Sequence, residues 1–379
     1  MTKKIFIIAG ESSGDFLGSQ LLRSLQRDIG DIEIYGIGGK QMEACGLKSL
    51  FPMDDLSVMG ISEILPSLFT ILKRIKQTKE TIKNLKPDLL ITIDSPGFCF
   101  KIAKFAKKIG IPVVHYVAPS VWAWRAGRAK KLAKKIKIDH LLCLLPFEPS
   151  YFTVHGLDAT FVGHPITEMQ LPDDSNFRNK LGIQKESTII CLLPGSRKNE
   201  VHQHLQIFLD AANAISNSKT IEVVIPTLPW LIEEIAPFLQ NASMPIRIVT
   251  STEEKWQTFK QSTIALAASG TVSLELAYAG TTQVIAYKVS KLTYWIAKLL
   301  VKVKYVSLIN ILNKKMVVPE CLQSECNAKI LANHMENILQ NKAYQIQQQQ
   351  AYNNAINMLR PANGATTSDV AAKIVIGMM

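Results

Sequence analysis

Three short stretches of this 379-residue chain set glycine, hydroxyl and charged residues at spacings that suit phosphate and sugar chemistry. In LLPGSRKNEV, Gly195 permits close backbone approach and Arg197 offers a two-pronged fork for a phosphate. A helix opening near Asn199 points its positive end at the same spot. In AASGTVSLELA, Ser269, Gly270 and Thr271 form a second strand-to-helix turn. Glu275, four residues beyond Thr271, lies one helical turn on and on the same face, where a carboxylate accepts both hydroxyls of a ribose. Two such turns in one half of the chain favour a nucleoside diphosphate ligand, although Glu275 taken alone also reads as a solvated first-turn acid drawn by the helix dipole. The third stretch, AGESSGDFLG, ends the first apolar run in a turn from Gly10 to Asp15 whose backbone N–H groups face a ligand at a helix N-terminus. Its glycines follow GxxxGxxxG, not GxGxxG, and no Walker lysine follows, so a dehydrogenase-type dinucleotide fold is disfavoured. From the loop alone, Ser12, Ser13 or Asp15 serving as a plain helix cap is an equal reading.

Asp94 closes the run DLLITID and precedes Ser-Pro-Gly. A carboxylate at a strand's carboxyl end suits a general base, and the same four residues suit a structural turn. His115, within VVHYVAP, reads as a hydrogen-bonding core histidine rather than a base, and His164, in GHP, is open between the two. No metal-ligand cluster, Ser-His-Asp order or aromatic-rich nucleic-acid module stands out.

These residues need a frame, and the hydropathy pattern supplies one. KIFIIAG, IEIYGIGG, PDLLITID, IPVVHYVAP, HLLCLLPF and ATFVG read as strands separated by amphipathic helices. After a lapse into Pro, Asp and Asn around GHPITEMQLPDDSNF, a second series begins with STIICLLPG, TIEVVIPT, PIRIVTS, STIALAAS and TQVIAYKV. The pattern predicts two doubly wound parallel α/β domains in tandem around an interdomain cleft, with ligands at the carboxyl ends of the strands. Residues 1–165 form the first domain and 166–342 the second. Residues 343–379, including QIQQQQAYNNAINML, form closing helices that cross back to the N-terminal domain.

The net charge of +12 is unevenly placed: residues 73–137 hold 17 Lys or Arg against three acids, Glu80, Asp88 and Asp94. A positive field on the N-terminal half suits phosphates, nucleic acid or an anionic membrane. The six cysteines sit far apart without a CxxC pair, as reduced thiols of a cytoplasmic core. The apolar run at the N-terminus is too short for a signal peptide, and LTYWIAKLLVKVKYVSLINIL is broken by Lys298, Lys302 and Lys304, so any membrane contact is peripheral.

Two segments bear on such contact. ISEILPSLFTILKRI sets Ile61, Ile64, Leu65, Leu68, Leu72 and Ile75 on one stripe leading into Lys73, Arg74, Lys76 and Lys79, which reads as a helix packed on its own sheet or as a membrane-surface helix. SVWAWRAGRAKKLAKK places Trp122 and Trp124 ahead of Arg125 and five further cations. Indole rings suit a boundary that is apolar on one side and wet on the other, and cations suit lipid phosphates.

Taken together, IIAGESSGD, LSVMGISEIL, the strand ending at Asp94, HYVAPSVWAWRAGR, LLPFEP, FVGHP, LLPGSRKNEV, SGTVSLELA, YKVS, and YVSLINIL followed by VPE and Gln323 resemble the lipid-A-disaccharide synthase family, in family order and over most of the chain. One departure is visible: where the family often continues its aspartate with Pro-Asp-Phe-Asn, Asp94 here leads into Ser-Pro-Gly-Phe-Cys, so Gly97 and Cys99 cannot supply the usual side chains. The resemblance implies a GT-B fold of two Rossmann-like domains. It implies an inverting transferase that moves 2,3-diacylglucosamine from its UDP-activated form to 2,3-diacylglucosamine 1-phosphate, giving the β-1,6-linked disaccharide 1-phosphate and UDP without an obligatory metal or cofactor. It implies Asp94 as base, and Gly195, Ser196, Arg197, Glu200, Ser269, Gly270, Thr271, Glu275 and Asn310 on the donor. Glu11, Ser12, Ser13, Met59, Gly60, Ser120, Trp122, Trp124 and Arg125 would meet the acceptor or its lipid. The implied setting is cytoplasmic, peripheral to the inner face of an anionic membrane, with no nucleic-acid partner and with homo-oligomerisation left open. The alternatives are another UDP-sugar GT-B enzyme, a lipid-linked glucosaminyltransferase or a UDP-sugar epimerase, and, from another class, a non-catalytic peripheral protein that binds nucleotide and lipid.

Overall fold

A computed structural model of the chain describes residues 2–56, 64–124, 127–216, 220–240, 242–268, 270, 272–290, 294 and 303–379. They divide into two compact units, Met1–Pro165 with Leu359–Met379, and Ile166–Met358.

In the first unit a seven-stranded sheet runs in the order β3-β2-β1-β4-β5-β6-β7, from β1 (Lys3–Ala9), β2 (Ile32–Ile37), β3 (Lys48–Ser49), β4 (Leu89–Ile93), β5 (Val113–Tyr116), β6 (His140–Cys143) and β7 (Asp158–Phe161). In the second, β8 (Thr188–Leu193), β9 (Ile221–Pro226), β10 (Ile246–Val249), β11 (Ile264–Ala267), β12 (Thr282–Tyr287) and β13 (Glu320–Leu322) pair in the order β10-β9-β8-β11-β12-β13. Every pairing is parallel. A central strand covered on both faces should be apolar throughout, and Ile5 to Ala9 are fully buried. The strands β3 and β13, of two and three residues, escape the sequence pattern because alternation is invisible over so short a run.

Each sheet reverses its strand order once, between β1 and β4 and between β8 and β11. Crossovers leave on opposite sides there, so a crevice opens at the carboxyl ends of the two strands. The register aligns those ends, pairing Ala9 with Ile93 in one sheet and Leu193 with Ala267 in the other.

The C-terminal segment 343–379 divides between the units. The helix Lys342–Met358 stays with the second, where Gln348 from the glutamine-rich tract is buried and its amide pairs with the backbone of Gln283 at 3.0 and 3.3 Å. Only the helix Thr367–Ile376 packs in the first unit, against the helix Ser12–Ile29, held by a Thr366–Asp369 capping box and an Asp369–Arg27 ion pair of 2.8 Å.

The helix Ile64–Leu85 is 22 residues long, and Pro66 lies in its first turn, where no intrahelical N–H bond is lost. Of the expected apolar stripe, Ile61 lies outside the described residues, and the described side chains of the helix face two ways. Ile75 and Ile82 join the core, whereas Phe69 is 76% and Leu72 50% exposed.

Candidate active site

In the first unit the reversal point brings together Gly10, which follows β1, and Asp94, which follows β4. Asp94 and Ser95 both adopt left-handed backbone, with φ of 46° and 42°, although neither is glycine. Two such residues in sequence cost of order 1–3 kcal/mol each and persist only where the surroundings impose them. Here the Asp94 N–H donates to the Tyr116 carbonyl at 3.0 Å, and Ser95 opens the helix Pro96–Lys108. Position 10 must be glycine for this approach, since a Cβ there would lie 2.2 Å from the Ser95 Oγ. Burial raises the Asp94 pKa above its usual 3.8, opposed by a hydrogen bond from the Ser95 backbone.

Glu11, Ser12 and Ser13 are exposed at the start of the helix Ser12–Ile29, at the same end of β1. None of their side chains caps that helix. Asp15 does not cap it either. Its buried carboxylate accepts N–H groups from Gly39, Gln41 and Met42 at 2.8 to 3.1 Å, and so caps the next helix, Lys40–Glu43. Asp15 thus ties the helix Ser12–Ile29 to the turn that follows β2. Cys99 is buried against the Ile93 carbonyl, and Gly97 is exposed. His115 is a core residue: Nδ1 lies 2.8 Å from the Thr92 hydroxyl, and burial holds its pKa down at about 3. Desolvation likewise lowers His164 to about 4, so neither histidine carries charge at neutral pH.

The two tryptophans do different things. Trp122 turns inward, with its ring edge-on to Phe147 at 5.3 Å and its indole N–H donating to Glu148 Oε1 at 3.2 Å. Glu148 also accepts the Leu145 N–H at 3.0 Å, and burial pushes its pKa up to about 7. Trp124 is 39% exposed, with the Arg128 guanidinium 5.5 Å from its ring centroid. Ser120 is exposed, and its carbonyl closes the turn by accepting the Ala123 and Trp124 N–H groups. Met59, Gly60 and Arg125 lie outside the described residues, as do Ser269 and Thr271 in the second unit.

In the second unit Gly195 has φ of 130°, and a Cβ there would collide with Glu200. The Glu200 carboxylate takes the donors expected to meet a phosphate. Oε2 accepts the Ser196 and Arg197 N–H groups at 2.9 and 3.3 Å, and Oε1 pairs with the Arg197 guanidinium at 2.9 Å. The turn is therefore already shaped as an anion cradle, with Glu200 as its internal anion, while the Arg197 side chain is 78% exposed.

Behind it, buried His204 ties three segments together. Nδ1–H donates to the carbonyls of Glu200 and Pro194 at 2.7 and 3.1 Å, Nε2 accepts the Lys288 N–H at 2.9 Å, and the ring stacks on Tyr287. The backbone N–H at Lys288 fixes the tautomer, and burial keeps the imidazole neutral.

Glu275, in the first turn of the helix Val272–Ala279, is held by Lys255 Nζ at 2.9 and 3.1 Å rather than being a free solvated acid. Asn310 is placed otherwise than as a direct donor contact. Its buried amide is spent inside the protein, donating to Glu320 and the Val318 carbonyl and accepting the N–H groups of Val317 and Val318, all within 2.7 to 2.9 Å. Glu320 in turn accepts the Val306 and Ser307 N–H groups at 2.9 Å, fixing the segment whose carbonyl backs Gly270.

Four of these groups, Glu148, His204, Lys255 and Glu320, were not legible as site residues. Glu148 and Glu320 stand in the quoted stretches LLPFEP and VPE, but their partners lie 26 and 10 to 14 residues away in sequence. Lys255 meets Glu275 across two helices, a contact that no local spacing announces.

Comparison with known proteins adds the following. The profile of the family described as lipid-A-disaccharide synthetase matches residues 5–375. A lipid-A-disaccharide synthase of Rhodospirillum centenum is 43% identical over 341 residues, covering 88% of this chain and 84% of its own. One of Rickettsia typhi is 41% identical over 384 residues, covering 98% of each. Among solved structures, the S. aureus MnaA–UDP complex superposes with a TM-score of 0.67 at 14% identity, covering 100% of this chain and 98% of that one. Acinetobacter baumannii MurG gives 0.57 at 14% identity with full coverage of both. At that identity these likenesses show the two-domain α/β fold of the GT-B kind.

Proposed function

This chain belongs to the lipid-A-disaccharide synthase family and is a UDP-sugar glycosyltransferase of lipid A biosynthesis, and from that premise we propose how its residues divide the reaction. The donor is UDP-2,3-diacylglucosamine and the acceptor 2,3-diacylglucosamine 1-phosphate. The acceptor hydroxyl attacks the anomeric carbon, its proton passes to Asp94, and the bond to UDP breaks with inversion.

The observation that carries the assignment of the base is the strained, partly buried carboxylate of Asp94 at the β1/β4 reversal. Burial makes it a stronger base than a surface aspartate. Glu11, Ser12 and Ser13 line the sugar site beside it.

On the donor side, the Gly195–Arg197 turn and the Arg197 fork take the diphosphate and stabilise the charge that develops on the departing UDP. Glu200 orders that turn in advance. Glu275 accepts the ribose hydroxyls, oriented by Lys255, and Ser269, Gly270 and Thr271 complete the pocket. Asn310 acts through Glu320 as a positioning residue. UDP-sugar epimerases share the fold, but near-complete matches at about 40% identity lie with the synthases.

The acceptor and the donor both carry acyl chains, so the enzyme works at a membrane surface. Exposed Phe69 and Leu72, the neighbouring lysines and the Trp124 ring support peripheral contact with the cytoplasmic leaflet. No described helix is long and apolar enough to cross a membrane. The test is to incubate the purified protein with both substrates and look for the disaccharide 1-phosphate by mass spectrometry. Absence of both disaccharide and released UDP would refute the reading.

A further inference from the structure

A cavity of about 410 Å³ lies between the helix Pro96–Lys108 and the helical segment Gly127–Ile136 of the first unit. Its volume falls in the range of small-ligand sites, roughly 300–1,000 Å³. Phe100, Leu132 and Ile136 give it an apolar floor. Among the described residues four cations rim it, Lys101 and Lys104 from one side and Arg128 and Lys131 from the other, and no acid lines it.

Among the described residues nothing neutralises the rim. Lys107 on the same helix pairs with Asp139 at 2.7 Å, whereas Lys101, Lys104, Arg128 and Lys131 have no carboxylate partner among the described residues. Gathering four like charges costs free energy that an incoming anion offsets. The far wall is also unusual, since Leu132–Ile136 winds as a π turn, a rare geometry concentrated at functional sites. That turn widens the helix where Leu132 and Ile136 enter the floor.

The groove begins at Pro96 and Gly97, two and three residues after Asp94, at the carboxyl end of β4. On its other side Arg128 touches the exposed Trp124 ring. We propose that this groove anchors the acceptor, its phosphate monoester on the cationic rim and the first carbons of an acyl chain on the apolar floor. The proposal rests on the glycosyltransferase reading above. It assigns to the cations of the tryptophan stretch a bound substrate phosphate, with bulk lipid headgroups as the competing source.

Lys104→Glu tests it. Lys104 is exposed and has no carboxylate partner among the described residues, so a carboxylate placed there repels a phosphate without disturbing packing. Lys101→Glu is a second, independent variant on an exposed position. In detergent micelles, each should raise KM for 2,3-diacylglucosamine 1-phosphate roughly tenfold or more, the scale of one lost charge-assisted contact. KM for the UDP-sugar should stay within twofold. With a dephosphorylated acceptor, variants and wild type should perform equally, because the contact that they disturb is already absent. An unchanged acceptor KM, or the same penalty on the dephosphorylated acceptor, overturns the proposal. So does loss of cosedimentation with phosphatidylglycerol vesicles at unchanged acceptor KM, which gives the cations to bulk lipid. If the wild type forms no disaccharide, the glycosyltransferase reading fails first. Calorimetric titration of the same acceptor into wild type and Lys104→Glu then decides the groove, with equal affinities overturning it.

Discussion

At the scale of single residues, the partly buried Asp94 and the buried Glu148 both carry raised pKa values, with different expected consequences. As the proposed base, Asp94 would act only when ionised, so kcat/KM should fall as pH drops through its raised pKa, further from acid than an ordinary aspartate would allow. Asp94→Asn should lose roughly 10²–10⁴-fold in kcat with an unchanged melting temperature, and near-normal turnover would remove Asp94 from the mechanism. Glu148 should instead register in stability. Its folded pKa of about 7 exceeds the ordinary 4.5, so the folded state holds a proton that the unfolded chain has released between those values. Stability is therefore greatest below 4.5 and is lost as pH rises toward 7, by up to about 3 kcal/mol. Glu148→Gln keeps an oxygen for the Trp122 indole and should abolish that slope. Chemical denaturation at pH 5 and pH 8 measures it, and an unaltered slope would mean that another group is responsible.

At the scale of elements, the turns proposed to meet the donor are each buttressed from behind. His204 joins the ends of β8 and β12, and Glu320 with Asn310 locks the Val306–Ser307 segment. Lys255 and Glu275 are each about 30% exposed, so their pair is worth at most about 1 kcal/mol. Lys255→Met should therefore raise the donor KM by only a few fold and leave kcat nearly unchanged; a loss of kcat instead would place Lys255 nearer the chemistry. The helix Ile64–Leu85 presents Phe69 and Leu72 outward while Ile75 and Ile82 hold it to the core. Phe69→Asp with Leu72→Asp should weaken binding to anionic vesicles by roughly tenfold or more without lowering the melting temperature. Vesicle binding at wild-type strength would move the membrane contact elsewhere.

For the whole molecule, a net charge of +12 concentrated in residues 73–137 would make the proposed membrane association salt-dependent, and cosedimentation with anionic vesicles should fall steeply between low and physiological ionic strength. UDP should raise the melting temperature of the intact chain, by an amount that grows with the logarithm of ligand concentration. NAD should leave it unmoved, because the first turn lacks the GxGxxG approach. An equal shift by both would point to a general nucleotide site.

The amino-acid sequence alone determined the two parallel sheets, because a strand buried on both faces must be apolar along its length, and Ile5–Ala9 and Ile189–Leu192 are written that way. It also determined the strand-end positions of Asp94 and of the Gly195 and Gly270 turns, since the punctuation of an α/β chain falls where strands stop. The short strands β3 and β13 and the division of the C-terminal helices were beyond its reach. So were the partners of the charged groups. That Asp15 caps a neighbouring helix, that Glu200 occupies its own anion cradle, that Lys255 meets Glu275, and that Lys101, Lys104, Arg128 and Lys131 ring one groove depend on contacts between residues well separated in sequence or on the choice between local rotamers. Local spacing sets which groups a segment can offer; only the packed chain decides which of them are satisfied internally and which are left to meet a ligand.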